Sequence, residues 1–242
     1  TGVSDYGDIL LMPFTGAVRF HNGADGRPGY RSAFSKANEQ AEPAYYHTIL
    51  DDYGIDVELT TTLRAGLHRY TFPAEETPQV MLDLAHRDEV ISSSLRRISD
   101  TEWEGSRISQ AWAEEQHVYF VIRFSRPVER YLTQLDGRLL DAQEAAGHSI
   151  KAVFAFSESD EPLLVKVGIS AVDAEGARRN LQAELDHWDF ERVKREGQEV
   201  WERALSKIEI EGGSPQQRSI FYTALYHTMI APNLYMDVDG RY

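Results

Sequence analysis

Apolar and polar residues alternate along much of the first two thirds of the chain. Segment 56–63 reads Asp-Val-Glu-Leu-Thr-Thr-Thr-Leu, which has the two-residue period of a half-buried strand. Four other short segments are rich in β-branched and aromatic residues, which also favours strands: 79–84, 117–124, 151–156 and 163–170. Turn sequences such as Asn-Gly and Pro-Gly punctuate this region. Many short strands without intervening helices predict an antiparallel β-sandwich.

The hydrophobic period changes to a helical one after residue 172. Asp173 is a suitable N-cap, and the apolar residues that follow it are spaced by three or four positions: Ala177, Leu181, Leu185 and Trp188. The same spacing continues through 190–204, where the polar face carries charges that can pair one helical turn apart. The sequence therefore predicts two consecutive helical stretches after the sandwich.

A third helix is predicted near the end of the chain. A short strand is expected at 207–211, and Ser214, Pro215 and Gln217 then provide a cap, a proline at the first helical position and a capping-box residue. Pro232 is expected to end this helix. A single amphipathic helix cannot bury its own apolar face, so this helix needs a partner.

Composition narrows the classes of function. The chain has 242 residues, 25 Lys and Arg, 39 Asp and Glu, a net charge of −14 and no Cys. The absence of Cys excludes disulfides, thiolate zinc sites and a Cys nucleophile. The acidic balance argues against nucleic acid as a partner. No apolar run approaches the roughly 20 residues of a membrane span.

Common catalytic motifs are also missing. The sequence contains no phosphate-binding loop, dinucleotide-binding fingerprint, Gly-x-Ser-x-Gly elbow or His-Glu-x-x-His helix. The first residues have no basic region followed by an apolar core, so no signal peptide is predicted. A start at Thr1 and an end at Tyr242 lead us to expect a chain truncated at both ends.

Three segments are candidates for a site. Residues 237–240, Asp-Val-Asp-Gly, lack the spacing of an EF-hand and are interpreted either as a polar turn or as a loop that contacts sugars through Asp and Arg side chains. The long polar segment 21–43 contains Arg31, and long loops often carry function. Residues 5–8 precede an apolar segment and are explained by a turn into a strand.

Histidine and tryptophan residues add little by themselves. The eight His residues form no cluster in the sequence, so most are interpreted as surface or satisfied core residues. The four Trp residues could stack on sugars, but Trp188 and Trp201 lie at helical core spacing and favour packing instead. These patterns alone support a β-sandwich joined to the start of a helical domain.

Specific strings in the sequence resemble glycoside hydrolase family 92, the exo-acting α-mannosidases. The first is 1–13, Thr-Gly-Val-Ser-Asp-Tyr-Gly-Asp-Ile-Leu-Leu-Met-Pro. Other strings follow in the order of the family: 34–39, 41–46, 50–54, 58–60, 68–73, 116–120, 221–228, 231–234 and 237–242. Because they cover nearly the whole chain in that order, the chain is identified as a member of the family.

The resemblance implies a mainly β fold, in which an antiparallel β-sandwich is followed by a helical linker and the first helix of an (α/α)6 barrel. The expected domains are 1–170 for the sandwich, 171–213 for the linker and 214–242 for the start of the catalytic barrel. It also implies calcium-dependent hydrolysis of terminal α-mannosides with inversion. The expected partners are mannose-containing glycans and the chain's own C-terminal catalytic domain.

The family places its catalytic acid, its base and its main calcium ligands in the barrel, beyond Tyr242, so the resemblance assigns no catalytic or metal residue here. The chain is expected to contribute one wall of the sugar pocket, through these candidates: Gly2, Asp5, Arg31, Asp237, Asp239 and Arg241. A periplasmic or secreted location is preferred. The alternatives are a non-catalytic carbohydrate-binding sandwich and a structural docking domain.

Overall fold

The computed structural model describes residues 7–231 and 233–242. Within them, the helices are a short 3-10 turn at Lys36–Asn38, α1 (Ala174–Glu184), α2 (Phe190–Leu205) and α3 (Pro215–Thr228). The strands are β1 (Leu10–Phe14), β2 (Gln40–Glu42), β3 (Tyr45–Leu50), β4 (Ile55–Thr61), β5 (Ala65–Thr71), β6 (Gln79–Asp83), β7 (Glu89–Arg97), β8 (Glu102–Gln110), β9 (Gln116–Phe124), β10 (Arg130–Leu135), β11 (Arg138–Leu140), β12 (Glu144–Gly147), β13 (Ile150–Ala155) and β14 (Leu163–Ser170).

The described strands form two antiparallel sheets. One sheet has five strands in the order β1-β6-β13-β10-β11, and the other has nine in the order β12-β7-β8-β9-β14-β5-β4-β3-β2. All five segments predicted as strands from the first two thirds of the sequence are strands here, within one or two residues at each end. The predicted fold class is confirmed, since the chain is mainly β and its two antiparallel sheets are followed by helices.

The main core lies between the two sheets. Strand β8 buries every second residue, including Trp103, because alternate side chains of a strand point to the same face. The Trp103 ring meets Phe154 of the opposite sheet edge-on, with ring centroids 4.9 Å apart. Phe124 lies 4.9 Å from the same Phe154 ring. These aromatic contacts join the two sheets.

Each sheet also has a covered outer face. On the nine-stranded sheet, Leu67 and Val121 pack with Leu181 of α1 and Phe190 of α2. On the five-stranded sheet, Tyr30 packs with Met81 and other residues. The molecule therefore has four layers, in which a long loop and a pair of helices cover the outer faces of the sandwich.

The part of the chain that follows β14 agrees with the sequence prediction except in two places. Residues 207–211 form no strand, and they pair with no strand of the described residues, so the prediction of a strand there is wrong. Trp188 lies outside α1 and stacks under the ammonium group of Lys166, 4.0 Å from the ring centroid. Pro232, expected to end α3, lies outside the described residues, and α3 ends at Thr228.

Helix α3 begins with the predicted capping box at Ser214 and Gln217. No side chain of α3 is fully buried by the described residues. Its contact with α2 includes the Tyr226 ring, which meets Trp201 edge-on with centroids 4.6 Å apart. The apolar face of α3 is thus only partly covered, as expected for a helix that lacks further partners.

Candidate functional site

The segment that follows α3, residues 233–242, returns to the sandwich and packs beside α1; we call it the C-terminal loop. Asp237 donates its backbone N–H to the carbonyl of Arg241 at 2.9 Å, and Gly240 donates to the carbonyl of Asp237 at 3.0 Å. Gly240 has φ +87°, which glycine adopts without strain. These contacts close the end of the loop into a tight turn that contains three predicted site residues.

Asp237 is the buried member of this turn, with 3% of its surface exposed. Its Oδ2 accepts the hydroxyl of Ser170, the last residue of β14, at 2.7 Å. Its Oδ1 accepts the side-chain N–H of Asn180, on α1, at 2.7 Å. Asn180 also accepts the backbone N–H of Val238 at 2.9 Å. Both oxygens of Asp237 are therefore occupied by neutral donors of the sandwich and α1.

Asp239 and Arg241 are more accessible and are paired with charges on α1. Arg241 donates through Nη1 to the N-cap residue Asp173 at 2.7 Å and through Nε to Asp239 at 2.9 Å. Arg179 donates to Asp239 at 2.8 Å. Arg241 lowers the pKa of both Asp173 and Asp239, through its hydrogen bonds and its positive charge. The structure thus brings Asp237, Asp239 and Arg241 together.

Arg31 lies elsewhere. It is exposed, and its backbone N–H donates to the carbonyl of Asn22 at 3.1 Å. Its neighbour Tyr30 packs on the outer face of the five-stranded sheet, whereas the C-terminal loop lies at the outer face of the nine-stranded sheet. Within the described residues, no hydrogen bond joins Arg31 to the C-terminal loop. Its assignment to the sugar pocket stays a prediction.

The two remaining predicted site residues, Gly2 and Asp5, lie outside the described residues. The described chain begins just before Asp8, which is buried and accepts the side-chain N–H of Gln116 at 2.8 Å. Asp8 also forms an ion pair with Arg107, whose side chain on β8 is completely buried. The first two residues of the turn predicted at 5–8 lie outside the described residues.

A cavity of about 230 Å³ lies between the C-terminal loop and the sandwich. Its lining is largely apolar and includes Leu63, Ile169, Leu234 and Met236. The same four side chains are exposed to solvent in part. Arg64 closes one side by donating to the carbonyl of Met236 at 2.6 Å. An apolar surface next to the three clustered site residues is suited to packing against more protein.

A side-chain metal site needs several ligating groups that converge on one point. Among residues 7–231 and 233–242, no group of three or more His, Asp or Glu side chains could hold a metal ion. The carboxylates of the C-terminal loop are bound instead by Arg179, Arg241 and neutral donors.

Two of the four tryptophans considered for sugar stacking differ sharply in exposure. Trp103 is completely buried, so its ring belongs to the core. Trp112 is 79% exposed, in the turn between β8 and β9. An exposed Trp offers a flat apolar face that can lie against a sugar ring or against another protein surface.

Sequence reasoning missed Asn180 as a partner of the site. The signal was present, because Asn180 occupies the apolar stripe of α1 between Ala177 and Leu181, where a polar residue needs a hydrogen-bond partner. The identity of that partner, 57 residues further along, could not be read from the stripe.

Two family models match the chain. The model of the glycosyl hydrolase family 92 N-terminal domain matches residues 1–170. The chain belongs to glycosyl hydrolase family 92. The model of the family 92 catalytic domain matches residues 176–242, which include α1, α2, α3 and the C-terminal loop. The division of this family 92 chain into sandwich, linker and barrel at residues 170 and 213 stays a prediction.

Solved structures resemble this family 92 chain closely. The family GH92 α-mannosidase BT3965 from Bacteroides thetaiotaomicron has a TM-score of 0.91 and 33% identity, over 99% of this chain and 34% of that one. The family GH92 inverting mannosidase BT2199 from the same species has a TM-score of 0.84 and 25% identity, over 96% of this chain and 31% of that one.

A curated protein is also similar to the family 92 chain. It is described as an uncharacterized secreted glycosidase from Arthroderma benhamiae, and it is 23% identical over 224 residues, which are 81% of this chain and 29% of that protein. The family 92 chain thus spans about a third of the length of the relatives that it matches. In the part of the chain that the structure describes, no helix combines the length and apolar character that crossing a membrane requires.

Proposed function

We propose that this chain is the N-terminal part of a calcium-dependent, inverting exo-α-mannosidase that hydrolyses terminal α-mannosides of glycans. The observation that carries the proposal is the match along 99% of the chain to a family 92 α-mannosidase, at a TM-score of 0.91. The similar structure described as an inverting mannosidase supports inversion. The match to the family's catalytic-domain model supports an enzyme rather than a binding module.

Inversion requires two carboxyl groups on opposite faces of the mannose ring. A carboxylic acid protonates the glycosidic oxygen as its bond to C1 breaks, and a carboxylate removes a proton from the water that attacks C1 from the other face. The two groups stand roughly 6.5–9.5 Å apart, which leaves room for the water. We propose that both groups, and the ligands of the calcium ion, belong to the part of the enzyme that follows Tyr242.

This chain would supply one wall of the pocket. Gly2, Asp5 and Arg31 remain candidates for that wall. In the C-terminal loop, Asp239 and Arg241 keep part of their surface in solvent and have the carboxylate and guanidinium groups that suit bidentate bonds to sugar hydroxyls. We expect them to be the loop residues that face the sugar.

The chain's partner would be its own catalytic domain. The apolar side chains beside the cavity, Leu63, Ile169, Leu234 and Met236, are available to pack against it. The exposed face of α3, with Ile220, needs a neighbour for the same reason. The relatives' additional length, about two thirds of each, is sufficient for a domain of that kind.

The decisive experiment uses the enzyme together with the chain that follows Tyr242. We expect it to release mannose from α-linked mannobiose, to form the inverted anomer in the first minutes as seen by proton NMR, and to lose activity with a calcium chelator. The 242-residue chain alone is expected to release no mannose. Release of the retained anomer, or activity that the chelator leaves unchanged, would contradict the corresponding part of the proposal.

The exposure of Trp112 favours a second candidate function, a carbohydrate-binding sandwich without catalysis. In that case the 242-residue chain binds mannobiose in titration calorimetry, and Trp112→Ala abolishes the heat. No heat at millimolar mannobiose would exclude this candidate. Mannose release by the longer protein would favour the first.

We propose a periplasmic or secreted location. The similarity to a protein described as a secreted glycosidase supports it. Fractionation of the source cells, followed by detection of the protein with an antibody, tests the proposal; recovery from the cytoplasm alone would contradict it.

A further inference from the structure

The Asp237 carboxylate is buried and hydrogen-bonded to the sandwich and α1 through both of its oxygens, which keeps it away from the solvent that a sugar would enter. Ser170 and Asn180 each donate to one carboxylate oxygen at 2.7 Å, and the residue is 97% buried, because 3% of its surface remains exposed. Both of these donors are neutral, and the guanidinium of Arg241 lies 3.9 Å from Oδ2. A buried carboxylate is costly unless it is hydrogen-bonded and paired, and these three neighbours satisfy Asp237 in one position.

Gly176 gives independent support for a close fit at this point. It lies in the first turn of α1, where a Cβ atom would stand 2.2 Å from Asp237 Oδ2 and 2.6 Å from Ser170 Oγ. The backbone of Gly176 is helical and its φ is not positive, so the backbone conformation does not require a glycine here. Glycine in a helix interior is unfavourable by itself. Its presence is explained by the space that the Asp237 carboxylate and the Ser170 hydroxyl bound to it occupy.

Asn180 holds the loop at two points. Its Nδ2 donates to Asp237 and its Oδ1 accepts the backbone N–H of Val238 at 2.9 Å, so one side chain fixes both a carboxylate and the adjacent peptide. Arg241 adds a second attachment through Asp173, at the N-terminus of the same helix. The turn that carries Asp239 and Arg241 is therefore attached to α1 at both of its ends.

We propose that Asp237 is a positioning residue, which binds Ser170 and Asn180 so that the C-terminal loop presents Asp239 and Arg241 to the sugar. The inference rests on the proposed function, and it assigns Asp237 to the loop's attachment instead of to the sugar itself. A loop displaced by about 1 Å loses well-aligned hydrogen bonds to a substrate, which is a large effect in enzymes. Loss of the attachment should therefore weaken substrate binding more than the chemical step.

The test uses the enzyme with its continuation and the variant Asp237→Asn. This change keeps the size of the side chain but replaces one acceptor oxygen by an NH2 group. Either Asn180 then faces another donor, or the Ser170 hydroxyl, which already accepts the backbone N–H of Val172, loses its carboxylate acceptor. The matched control is Asp160→Asn, the same change at an exposed residue of the β13–β14 loop. Hydrogen exchange at the amides of Val238 and Gly240 reports the attachment, and kcat and KM for mannobiose report its consequence.

We expect Asp237→Asn to raise the exchange rates at Val238 and Gly240 at least about tenfold and to raise KM by a similar factor with kcat nearly unchanged. The control should change neither. Unchanged exchange, or faster exchange with wild-type KM, would overturn the proposal. A wild-type enzyme that releases no mannose would refute the proposed function instead, and exchange would still decide whether Asp237 attaches the loop.

Gly176→Ala provides a second variant in case Asp237→Asn fails to fold. Alanine ordinarily favours a helix over glycine, so the substitution should stabilise α1 if the Asp237 carboxylate and the Ser170 hydroxyl were not there. We expect it instead to speed exchange at Val238 and to raise KM, since its methyl group displaces Asp237. Wild-type exchange and KM in Gly176→Ala would count against the close fit on which the proposal depends.

Discussion

Tyr30 donates its hydroxyl to Oδ2 of the buried Asp83 at 2.7 Å, across 53 residues of sequence. Lys151 lies 2.8 Å from the same carboxylate and also donates to the carbonyl of Phe20 at 2.9 Å. Burial and the charge of Asp83 raise the pKa of Tyr30, so its hydroxyl remains a donor. One buried carboxylate of β6 thus holds the loop that carries Arg31 at two points, Tyr30 directly and Phe20 through Lys151.

Tyr30→Phe should weaken the attachment of this loop to β6 and should keep the aromatic ring in the core. Removing the hydroxyl leaves Asp83 one donor short, and a lost buried hydrogen bond to a charged group costs about 1 to 3 kcal/mol. Urea unfolding would measure the change in the free energy of unfolding. Tyr242→Phe, at an exposed tyrosine, should leave it unchanged. Equal stability of both variants would show that the Tyr30 bond contributes nothing.

His68 should make stability depend on pH in the acidic range. Desolvation lowers its pKa to about 4 in the folded chain, from an ordinary value near 6.5, and its Nδ1 lies 2.6 Å from the hydroxyl of Tyr70. Below pH 6.5 the unfolded chain binds a proton that the folded chain does not. The stability that the neutral ring provides is therefore complete above pH 6.5 and is lost as the pH falls to 4, by at most about 3 kcal/mol.

The variant His68→Gln isolates this effect. We expect its free energy of unfolding to fall less steeply than that of the wild type between pH 6.5 and 4, as measured by urea titrations at each pH. His148→Gln, at an exposed histidine, serves as the control and should keep the wild-type slope. Identical slopes for all three proteins would refute the role of His68.

Lys166 should make stability depend on pH in the alkaline range, with the same sign as His68. It is buried under α1 and α2, and desolvation, followed by the nearby Arg123, lowers its pKa to about 8. Between pH 8 and 10.5 the folded chain has released a proton that the unfolded chain still holds, so the wild type gains stability as the pH rises. Lys166→Met removes this gain.

The measurement compares the two proteins by urea unfolding at pH 7.5, 9 and 10.5. The free energy of unfolding of the wild type should rise relative to that of Lys166→Met across this series. Lys207→Met, at an exposed lysine, should run parallel to the wild type. A constant difference between the wild type and Lys166→Met would contradict the prediction.

Asp8→Asn should destabilise the start of the sandwich. It removes the charge that faces Arg107, a guanidinium buried between the sheets that also donates to the carbonyl of Leu84 at 2.8 Å. Removing one partner of a buried ion pair costs about 3 to 5 kcal/mol. Urea unfolding at pH 7 measures the loss, and Asp141→Asn at an exposed aspartate is the control. A loss below about 1 kcal/mol would mean that the other acceptors of Arg107 suffice.

Local pattern was sufficient to predict five of the fourteen described strands and the three α-helices. The alternation at 56–63 became β4, the apolar segment at 117–124 became β9, and Asp173 and Ser214 cap α1 and α3 as predicted. These features depend on neighbours within a few residues, which the sequence displays directly. The prediction of a strand at 207–211 is wrong. A strand also needs a partner strand, and none of the described strands pairs with residues 207–211.

The candidate site depends on both the sequence and the tertiary structure. The residue types and the family resemblance are sufficient to select Asp237, Asp239 and Arg241. Their roles within the fold depend on Ser170, Asp173 and Asn180, which stand 57 to 68 residues away in sequence. Arg31 was grouped with them, and the fold places its loop on the other outer face of the sandwich.

The sequence by itself determined the period of five strands and of the three α-helices, the caps of α1 and α3, the absence of thiol chemistry and the family. Those properties follow from side-chain chemistry and from spacing along the chain. Only the tertiary structure decided that Asp237 is buried against α1, that Gly176 leaves room for its carboxylate, and that Trp103 is buried whereas Trp112 is exposed. Burial and hydrogen-bond partners depend on which distant segments meet, and that is settled by packing the two sheets and their helices together.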